Sequence, residues 1–240
     1  MASRKILLIL GAGPGIARGV AEKFKSAGYG TAIVSRSKPA DGLYPADTVS
    51  IQADLRDASS IPKIFDTVKD KLGGSPSVVV YNAAAMTVPS DLSNPFSVSP
   101  EDLERDMAIM NTTPYVAAGQ AVAGFEAAKD DTPKAFIYTG NMLAGQTRPV
   151  PYVVTLGTGK SAASYWLGTA ASFYKDKGYG FYFADERKAD GSSIPGLNEL
   201  SASATGDFYL ELAEGKKQYP FHATFVAGQG YVHFPDTTRV

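Results

Sequence analysis

Short apolar segments alternate along the chain with longer segments of helical spacing, and this alternation limits the possible folds more than any other feature. Each apolar segment has the length of a strand and reads as a continuous apolar run, as expected for a strand buried on both faces. The predicted strands cover residues 6–10, 31–34, 48–51, 78–81, 135–139 and 181–184. Helical spacing separates them, as at Ile16, Val20 and Phe24. The pattern predicts an α/β fold with a doubly wound parallel sheet, in a single domain over residues 1–240.

Two irregular segments follow predicted strands. Residues 83–100 contain three prolines, and residues 185–198 are polar and contain glycine. Ligand-covering loops lie at the carboxyl edge of such sheets, so we predict that both segments contact the substrate. A long surface connection is the alternative for each.

Composition narrows the possible partners. The chain has 23 basic and 24 acidic side chains, a balance that argues against nucleic acid as a partner. It has no cysteine and only two histidines, His222 and His233, so we predict no disulfide, no metal site and no cysteine nucleophile. No segment approaches the roughly 18 apolar residues of a membrane span. We predict a cytoplasmic protein with no membrane partner and a small-molecule substrate.

A glycine-rich turn separates the first strand from the first helix. Gly11, Gly13 and Gly15 stand here, followed by Ile16 at the start of the helical pattern. Glycines let the backbone approach a pyrophosphate, and the positive end of the helix dipole stabilises its charge. The strand before and the helix after supply the context that a dinucleotide site of the Rossmann type requires. The alternative is a turn in which glycine serves only close packing of strand and helix.

The end of the second strand indicates which nicotinamide cofactor binds. An NAD site usually has an acidic residue there, whereas this chain has no acid before Asp41. Arg36 can pair with a 2′-phosphate, with Ser35, Ser37 and Lys38 as further donors. The segment therefore predicts NADP. A solvated surface arginine is the alternative.

Further segments resemble the short-chain dehydrogenase/reductase family over nearly the whole chain. The glycine loop is similar to the family's Gly-x-x-x-Gly-Ile-Gly, with Ala17 at the last glycine, and Asp54-Leu55 looks like the pair that holds the adenine. Asn82-Ala83-Ala84-Ala85 resembles Asn-Asn-Ala-Gly, from which Tyr81 and Ala85 depart. The resemblance implies that Asp54, Leu55, Asn82 and Ala83 contact the cofactor. It also implies that Asn111, inside a long helix over residues 102–128, is a catalytic asparagine.

The acid/base residues depart from the family. Its members use Tyr-x-x-x-Lys on one helix face: the lysine binds the ribose, and the tyrosine transfers a proton. Lys160 fits the lysine, but Leu156 stands at the tyrosine position, and no tyrosine precedes any of the 15 lysines by four residues. Asn141 replaces the family's serine. Asp185-Glu186 replaces its proline-glycine.

Several residues could compensate for the missing tyrosine. Tyr152, before the Lys160 helix, is the nearest candidate proton donor, with a packed loop aromatic as its alternative. Asn141 can orient a carbonyl but cannot protonate it, and Tyr138 reads as core. The charged run 185–187 is either a ligand contact or a solvated cluster. Catalytic candidates are therefore Asn111, Asn141, Lys160 and Tyr152.

These residues predict an NADP-dependent oxidoreductase that transfers hydride between the nicotinamide and a carbonyl, enone or imine. The alternative is a family-derived protein that has lost ordinary carbonyl reduction and catalyses an isomerisation or cyclisation, or only binds a ligand. Apolar residues around the Lys160 helix, with Tyr165 and Trp166 at the centre, further predict a homodimer or homotetramer. The alternative is that residues 197–212 cover this helix within one chain.

Overall fold

A single eight-stranded sheet organises the chain. The computed structural model describes residues 5–128, 130–145, 150–215 and 218–235. The strands are β1 (Ile6–Leu10), β2 (Gly30–Ser35), β3 (Val49–Gln52), β4 (Val78–Tyr81), β5 (Ala135–Thr139), β6 (Gly180–Arg187), β7 (His222–Val226) and β8 (Gly230–Tyr231). Their order in the sheet is β3-β2-β1-β4-β5-β6-β7-β8, and all pairs are parallel except β7 with β8.

The strand order reverses between β1 and β4. The chain builds the sheet outward from β1 to β3 and then returns to place β4 on the other side of β1. In open α/β sheets the crevice outside the carboxyl ends of the strands at this reversal is where ligands bind. The predicted doubly wound α/β fold is confirmed, and its topology places the glycine-rich turn beside this crevice.

Helices cover both faces of the sheet. They are α1 (Ile16–Ser26), α2 (Ile61–Leu72), α3 (Pro100–Met107), α4 (Thr113–Ala127), α5 (Val154–Phe173) and α6 (Ala202–Glu214). In β1, Leu7 and Ile9 pack with residues of α1 and α6, whereas Leu8 and Leu10 pack with residues of α2, α4 and α5. Because both faces are buried, every residue of this strand is apolar.

Several predicted boundaries were wrong. The predicted strand 181–184 continues through Arg187, so residues 185–187 belong to β6 and the predicted loop 185–198 begins only at residue 188. The predicted helix 102–128 is interrupted by a π-helical turn, Ala108–Thr112, between α3 and α4. The family resemblance also implies a last strand over residues 222–232, and the structure divides this segment into β7 and the antiparallel β8.

Helix α6 packs on α1 and not on α5, which rules out the alternative that residues 197–212 cover the Lys160 helix. The contact depends on Gly19 and Gly206. A Cβ atom at Gly19 would lie 2.0 Å from the backbone oxygen of Ala202, and one at Gly206 would lie 2.5 Å from the oxygen of Gly19. The two helix backbones therefore touch directly.

We predict that Gly19→Ala destabilises the fold by about 1–3 kcal/mol, because the new methyl group forces α1 and α6 apart. Gly119→Ala is the matched control: this glycine also lies inside a helix, but a Cβ there would meet no atom within 4 Å. Alanine at residue 119 should raise stability by about 0.5–1 kcal/mol through helix propensity. Urea denaturation measures both, and equal shifts for the two variants would contradict the packing argument.

Candidate active site

The glycine-rich turn has room for a ligand at two of its three glycines. A Cβ at Gly13 or Gly15 would meet nothing within 4 Å, and neither residue has a positive φ. Gly11 differs, since its φ is +98° and a Cβ would lie 2.4 Å from the backbone nitrogen of Ala83. Internal packing therefore explains Gly11 but not Gly13 or Gly15. A ligand that approaches the backbone closely would explain why glycine stands at both residue 13 and residue 15.

The beginning of α1 suits an anion. Gly15 is its N-cap and supplies no side-chain hydrogen bond, and no acidic residue stands in the first turn. The first amides of a helix lack intrahelical acceptors, and the helix dipole adds a partial positive charge there. Tyr44 lies beside this turn and donates a hydrogen bond to the backbone oxygen of Gly13 at 2.7 Å. The donors present match the pyrophosphate of a dinucleotide.

Arg36 lies at the carboxyl end of β2 with its side chain exposed. Its guanidinium has no ion pair or hydrogen bond with another residue in the described part of the chain; only its backbone oxygen is engaged, by Gln52 at 2.9 Å. Lys38, by contrast, pairs with Asp41 at 3.2 Å, and the Ser35 hydroxyl donates to the backbone oxygen of Ser37. Arg36 is thus the cation in this segment that remains available to an external anion.

Asp54 and Leu55 follow β3, and their side chains lie in different environments: that of Asp54 is partly exposed, whereas that of Leu55 is buried. Asp54 forms an ion pair with Arg56, and the hydrogen bonds from Arg56 lower the pKa of the Asp54 carboxyl. The Leu55 side chain is buried with the helices α2 and α4, and its backbone oxygen accepts a hydrogen bond from Thr113 at 2.9 Å. The expected contact of this pair with an adenine stays a prediction, and the buried Leu55 side chain cannot take part in it.

Asn82 ties the glycine turn to β5. Its amide Nδ2 donates to the backbone oxygen of Gly11 at 2.9 Å, and its Oδ1 accepts from the Thr139 hydroxyl at 3.1 Å. The hydroxyl of Tyr209 on α6 then donates to the Thr139 hydroxyl oxygen at 3.0 Å. Asn82 and Ala83 both donate their backbone N–H to Leu10. The Asn82 side chain is therefore occupied in positioning the turn.

Two buried tyrosines stabilise the π-helical turn, a role that the sequence did not reveal. Tyr81 donates its hydroxyl to the backbone oxygen of Ile109 at 2.6 Å, and Tyr138 donates to that of Met110 at 2.9 Å. The two residues are register partners on β4 and β5, and their rings stack with centroids 5.6 Å apart. The only signal available in the sequence is that each tyrosine stands at or next to the end of a predicted strand.

Asn111 lies within this π-helical turn. Its Oδ1 accepts a hydrogen bond from the indole nitrogen of Trp166 on α5 at 3.0 Å. The Trp166 ring also meets Tyr115 and Phe136 edge-on. The polar group of Trp166 is thus engaged within the chain, and the expectation that Trp166 anchors an interface between chains stays a prediction. The Asn111 side chain holds α5 against the turn.

Lys160 is buried on α5, with 4% of its surface exposed. Its Nζ donates to the backbone oxygen of Thr139 at 2.6 Å and lies 4.6 Å from the centre of the Tyr138 ring. Burial lowers the pKa of Lys160 to about 7, although the charge of Asp185 acts in the opposite direction. Leu156, one turn before it on the same helix, contributes no polar group.

Asn141 and Tyr152 lie on either side of residues that the structure does not describe. Asn141 Oδ1 accepts a hydrogen bond from the Leu143 N–H at 3.1 Å, which leaves its Nδ2 group without a partner among the described residues. Tyr152 lies in a short turn, Pro151–Val153, directly before α5, and 56% of it is exposed. Asn141 can thus donate a hydrogen bond to a carbonyl oxygen; a role for Tyr152 remains a prediction.

The charged run at the end of β6 is buried, which corrects the alternative of a solvated cluster, whereas a ligand contact stays a prediction. Asp185 accepts a hydrogen bond from Arg187 Nε at 2.6 Å, and Nε2 of His222 lies 3.6 Å from the same oxygen. Arg187 also donates to the backbone oxygen of Gly191 at 3.0 Å. Glu186 faces the other side of the sheet, where it accepts from the N–H of Ser201 before α6. These carboxylates hold the segment after β6 in place.

The site therefore combines a turn suited to a dinucleotide with the buried amine of Lys160 at the carboxyl end of β5. The glycines, the start of α1 and Arg36 provide anion-binding groups, while Asn141 and Lys160 lie near the end of β5. Within the described residues, no tyrosine hydroxyl pairs with the Lys160 amine. Such an arrangement can position a cofactor and a carbonyl group without a phenolic proton donor.

Comparison with known proteins agrees with this geometry. A family model described as short chain dehydrogenase matches residues 5–135. The short chain dehydrogenase/reductase dmxR12 from Cryptosporiopsis sp. (strain 8999) is 38% identical over 249 residues, covering 99% of this chain and 98% of that protein.

Solved structures show the same fold at low sequence identity. A 3-ketoacyl-(acyl-carrier-protein) reductase from Brucella melitensis, complexed with NADH, has a TM-score of 0.76 at 18% identity and covers 93% of this chain and 97% of its own. ElxO with NADP bound has a TM-score of 0.76 at 18% identity, covering 94% and 97%. The family model spans more than half of the chain and dmxR12 matches nearly all of it, so the protein belongs to the short-chain dehydrogenase/reductase family.

Proposed function

We propose that the protein is an NADP-dependent oxidoreductase that reduces or oxidises a small organic substrate at a carbonyl, enone or imine group. The observation that carries the proposal is Arg36, an exposed guanidinium that forms no ion pair or hydrogen bond within the described chain, at the end of the strand beside the open glycines. A 2′-phosphate is a doubly charged anion, and the planar guanidinium can donate two parallel hydrogen bonds to a pair of its oxygens.

The chain's own residues bind and orient in this proposal. When bound, NADP supplies hydride chemistry that no protein side chain provides. Gly13, Gly15 and the first amides of α1 hold the pyrophosphate, and Arg36 holds the 2′-phosphate. Asn141 Nδ2 orients the substrate oxygen, while Lys160 places a positive charge beside the cofactor and the substrate.

A second candidate function rests on Leu156. A leucine cannot transfer a proton, so carbonyl reduction by the family's usual route is closed to this chain. A non-redox step, such as an isomerisation or cyclisation, or ligand binding alone is the alternative. NADPH consumption distinguishes the two: turnover of a ketone, enone or cyclic imine supports the oxidoreductase, and no consumption with any of them supports the alternative.

We place the protein in the cytoplasm as part of this proposal. Over the residues that the structure describes, no helix is long and apolar enough to cross a membrane. The balanced charge of the chain gives no electrostatic reason for attachment to an anionic surface.

We also propose self-association through α4 and α5. Three aromatic side chains on these helices are largely exposed: Tyr115 at 62%, Tyr165 at 77% and Phe173 at 73%. Helix α6 does not cover them, because it packs on α1 at the opposite face of the sheet. Two copies related by a twofold axis would bury both sets at once.

Titration calorimetry with NADPH and NADH tests the cofactor. We predict that Arg36→Ala weakens NADPH binding by roughly 10- to 150-fold, because a charge-assisted contact contributes about 1.5–3 kcal/mol, and that it scarcely changes NADH binding. Lys38→Ala is the control and should cost less, since Asp41 already engages the Lys38 ammonium. Absence of NADPH binding to the unaltered protein at millimolar concentration would refute the proposal, and equal losses for both cofactors would show that Arg36 does not read the phosphate.

Light scattering tests the assembly. We predict a mass of about 50 kDa or a larger multiple of the 25.3 kDa chain, which falls toward 25.3 kDa in Tyr165→Glu because a charge enters an apolar contact. Phe96→Glu is the control, since Phe96 is 90% exposed but lies on the loop after β4. A monomeric wild-type protein, or an equal effect of both variants, would contradict an interface at α4 and α5.

A further inference from the structure

The Lys160 ammonium has little compensation for its charge. The backbone oxygen of Thr139 is its one hydrogen-bond acceptor among the described residues, at 2.6 Å, and an ammonium has three donors. The Tyr138 ring offers a cation–π contact at 4.6 Å. No carboxylate of the described chain lies within 4.0 Å of Nζ, so Lys160 forms no ion pair.

Surrounding charged groups do not supply the missing partner. Asp185 on β6 is the carboxylate that acts on Lys160, but it is already neutralised by Arg187, with His222 of β7 behind it. On β5 the nearest titratable group is Tyr138, whose hydroxyl is donated to Met110. From α6, Tyr209 donates to the Thr139 hydroxyl and not to Lys160.

Both protonation states of Lys160 keep the observed hydrogen bond. The Thr139 oxygen can only accept, and either an ammonium or a neutral amine can donate to it. Burial favours the neutral form and brings the pKa of Lys160 to about 7. The amine can therefore gain or lose a proton near neutral pH without a rearrangement of its surroundings.

We propose that Lys160 itself is the proton donor and acceptor of the reaction, in place of a tyrosine hydroxyl. This inference rests on the proposed function. The geometry that carries it is a buried amine with one backbone acceptor, on the turn of α5 that follows Leu156 and beside the end of β5 that leads to Asn141. A residue with this role contacts the substrate oxygen directly, with Asn141 as the second donor to that oxygen.

The step balances without a further reactant. In reduction, the carbonyl carbon gains a C–H bond from the hydride of the reduced nicotinamide, and that cofactor is oxidised. The electron pair of the broken C=O π bond forms an O–H bond with a proton released by the Lys160 ammonium. The neutral amine left behind regains its proton from water. Alcohol oxidation runs in reverse and requires the neutral amine first.

The pH dependence has a definite sign. Reduction needs the ammonium, which predominates below the lysine pKa, so kcat for a ketone should be level at low pH and fall about tenfold per unit above about pH 7. Oxidation needs the amine, so its kcat should rise about tenfold per unit up to about pH 7 and be level above that pH. A cyclic iminium ion needs no added proton, and its reduction should show neither dependence.

Three variants test the assignment with a ketone, isatin, and an iminium ion, N-methyl-3,4-dihydroisoquinolinium, as probes. Lys160→Met should lower kcat for the ketone by roughly 100- to 10,000-fold more than kcat for the iminium, because any shared loss in cofactor positioning affects both substrates. Lys160→Arg should not restore ketone reduction, because arginine keeps its proton. Lys134→Met is the matched control: Lys134 also donates to backbone oxygens and lies over an aromatic ring, but away from the site.

A measurement independent of turnover accompanies the kinetics. In protein labelled with ¹⁵N-lysine, one Nζ resonance should titrate with a midpoint near pH 7, vanish in Lys160→Met and persist in Lys134→Met. Equal loss of ketone and iminium reduction in Lys160→Met, rescue by arginine, or a midpoint above pH 9 would overturn the inference while the proposed function stands. If the wild-type protein neither binds NADPH nor consumes it, the proposed function fails and the inference with it.

Discussion

The hydrogen bonds from Tyr81 and Tyr138 to the π-helical turn hold this turn against the carboxyl ends of β4 and β5, beside the candidate active site. A π-helical turn leaves backbone oxygens without their usual helical partners, and buried oxygens of this kind are costly unless a donor reaches them. The two hydroxyls reach Ile109 and Met110 from adjacent strands. The π-helical turn also presents Asn111 to Trp166. The Met110 side chain packs against Gly159 on α5, where an added Cβ atom would lie only 2.5 Å from the Cβ atom of Met110. The position of α5, and with it Lys160, follows from these contacts.

The same register extends across half of the sheet. Tyr81, Tyr138, Phe183 and His222 are successive register partners from β4 to β7, and their rings stack or meet edge-on at 5.2–5.7 Å. These four side chains form a row of rings across the sheet, just below the carboxyl ends of the strands. Charged groups directly above it, such as Asp185 and Arg187, are consequently buried and must pair with one another. Lys160 lies over the Tyr138 ring of the same row but has no ion-pair partner in the described chain. Burial is therefore the largest effect on its pKa, which it lowers.

Sequence reasoning recovered what depends on local pattern. Continuous apolar runs located β1, β4 and β5 at their observed bounds, and the glycines marked the turn beside the strand reversal. It missed features that depend on distant partners. Residues 185–187 read as surface because they are charged, but ion pairing and the β7 register keep them in the sheet. The break in the predicted helix 102–128 could not be read either, since its donors are tyrosines on other elements.

Cofactor binding and proton transfer place different demands on a sequence, and this explains how a chain can keep the residues suited to one and depart in those for the other. In a glycine-rich turn a pyrophosphate is held by backbone amides, which require only that no side chain blocks positions such as Gly13 and Gly15. Such a turn therefore tolerates change in the rest of the chain. Proton transfer depends on the pKa of one side chain. At the position where the family has its tyrosine, Leu156 offers no proton. Lys160 on the next turn of α5 is buried, and burial brings its pKa to about 7. A group that titrates near neutral pH therefore lies one turn from the missing hydroxyl.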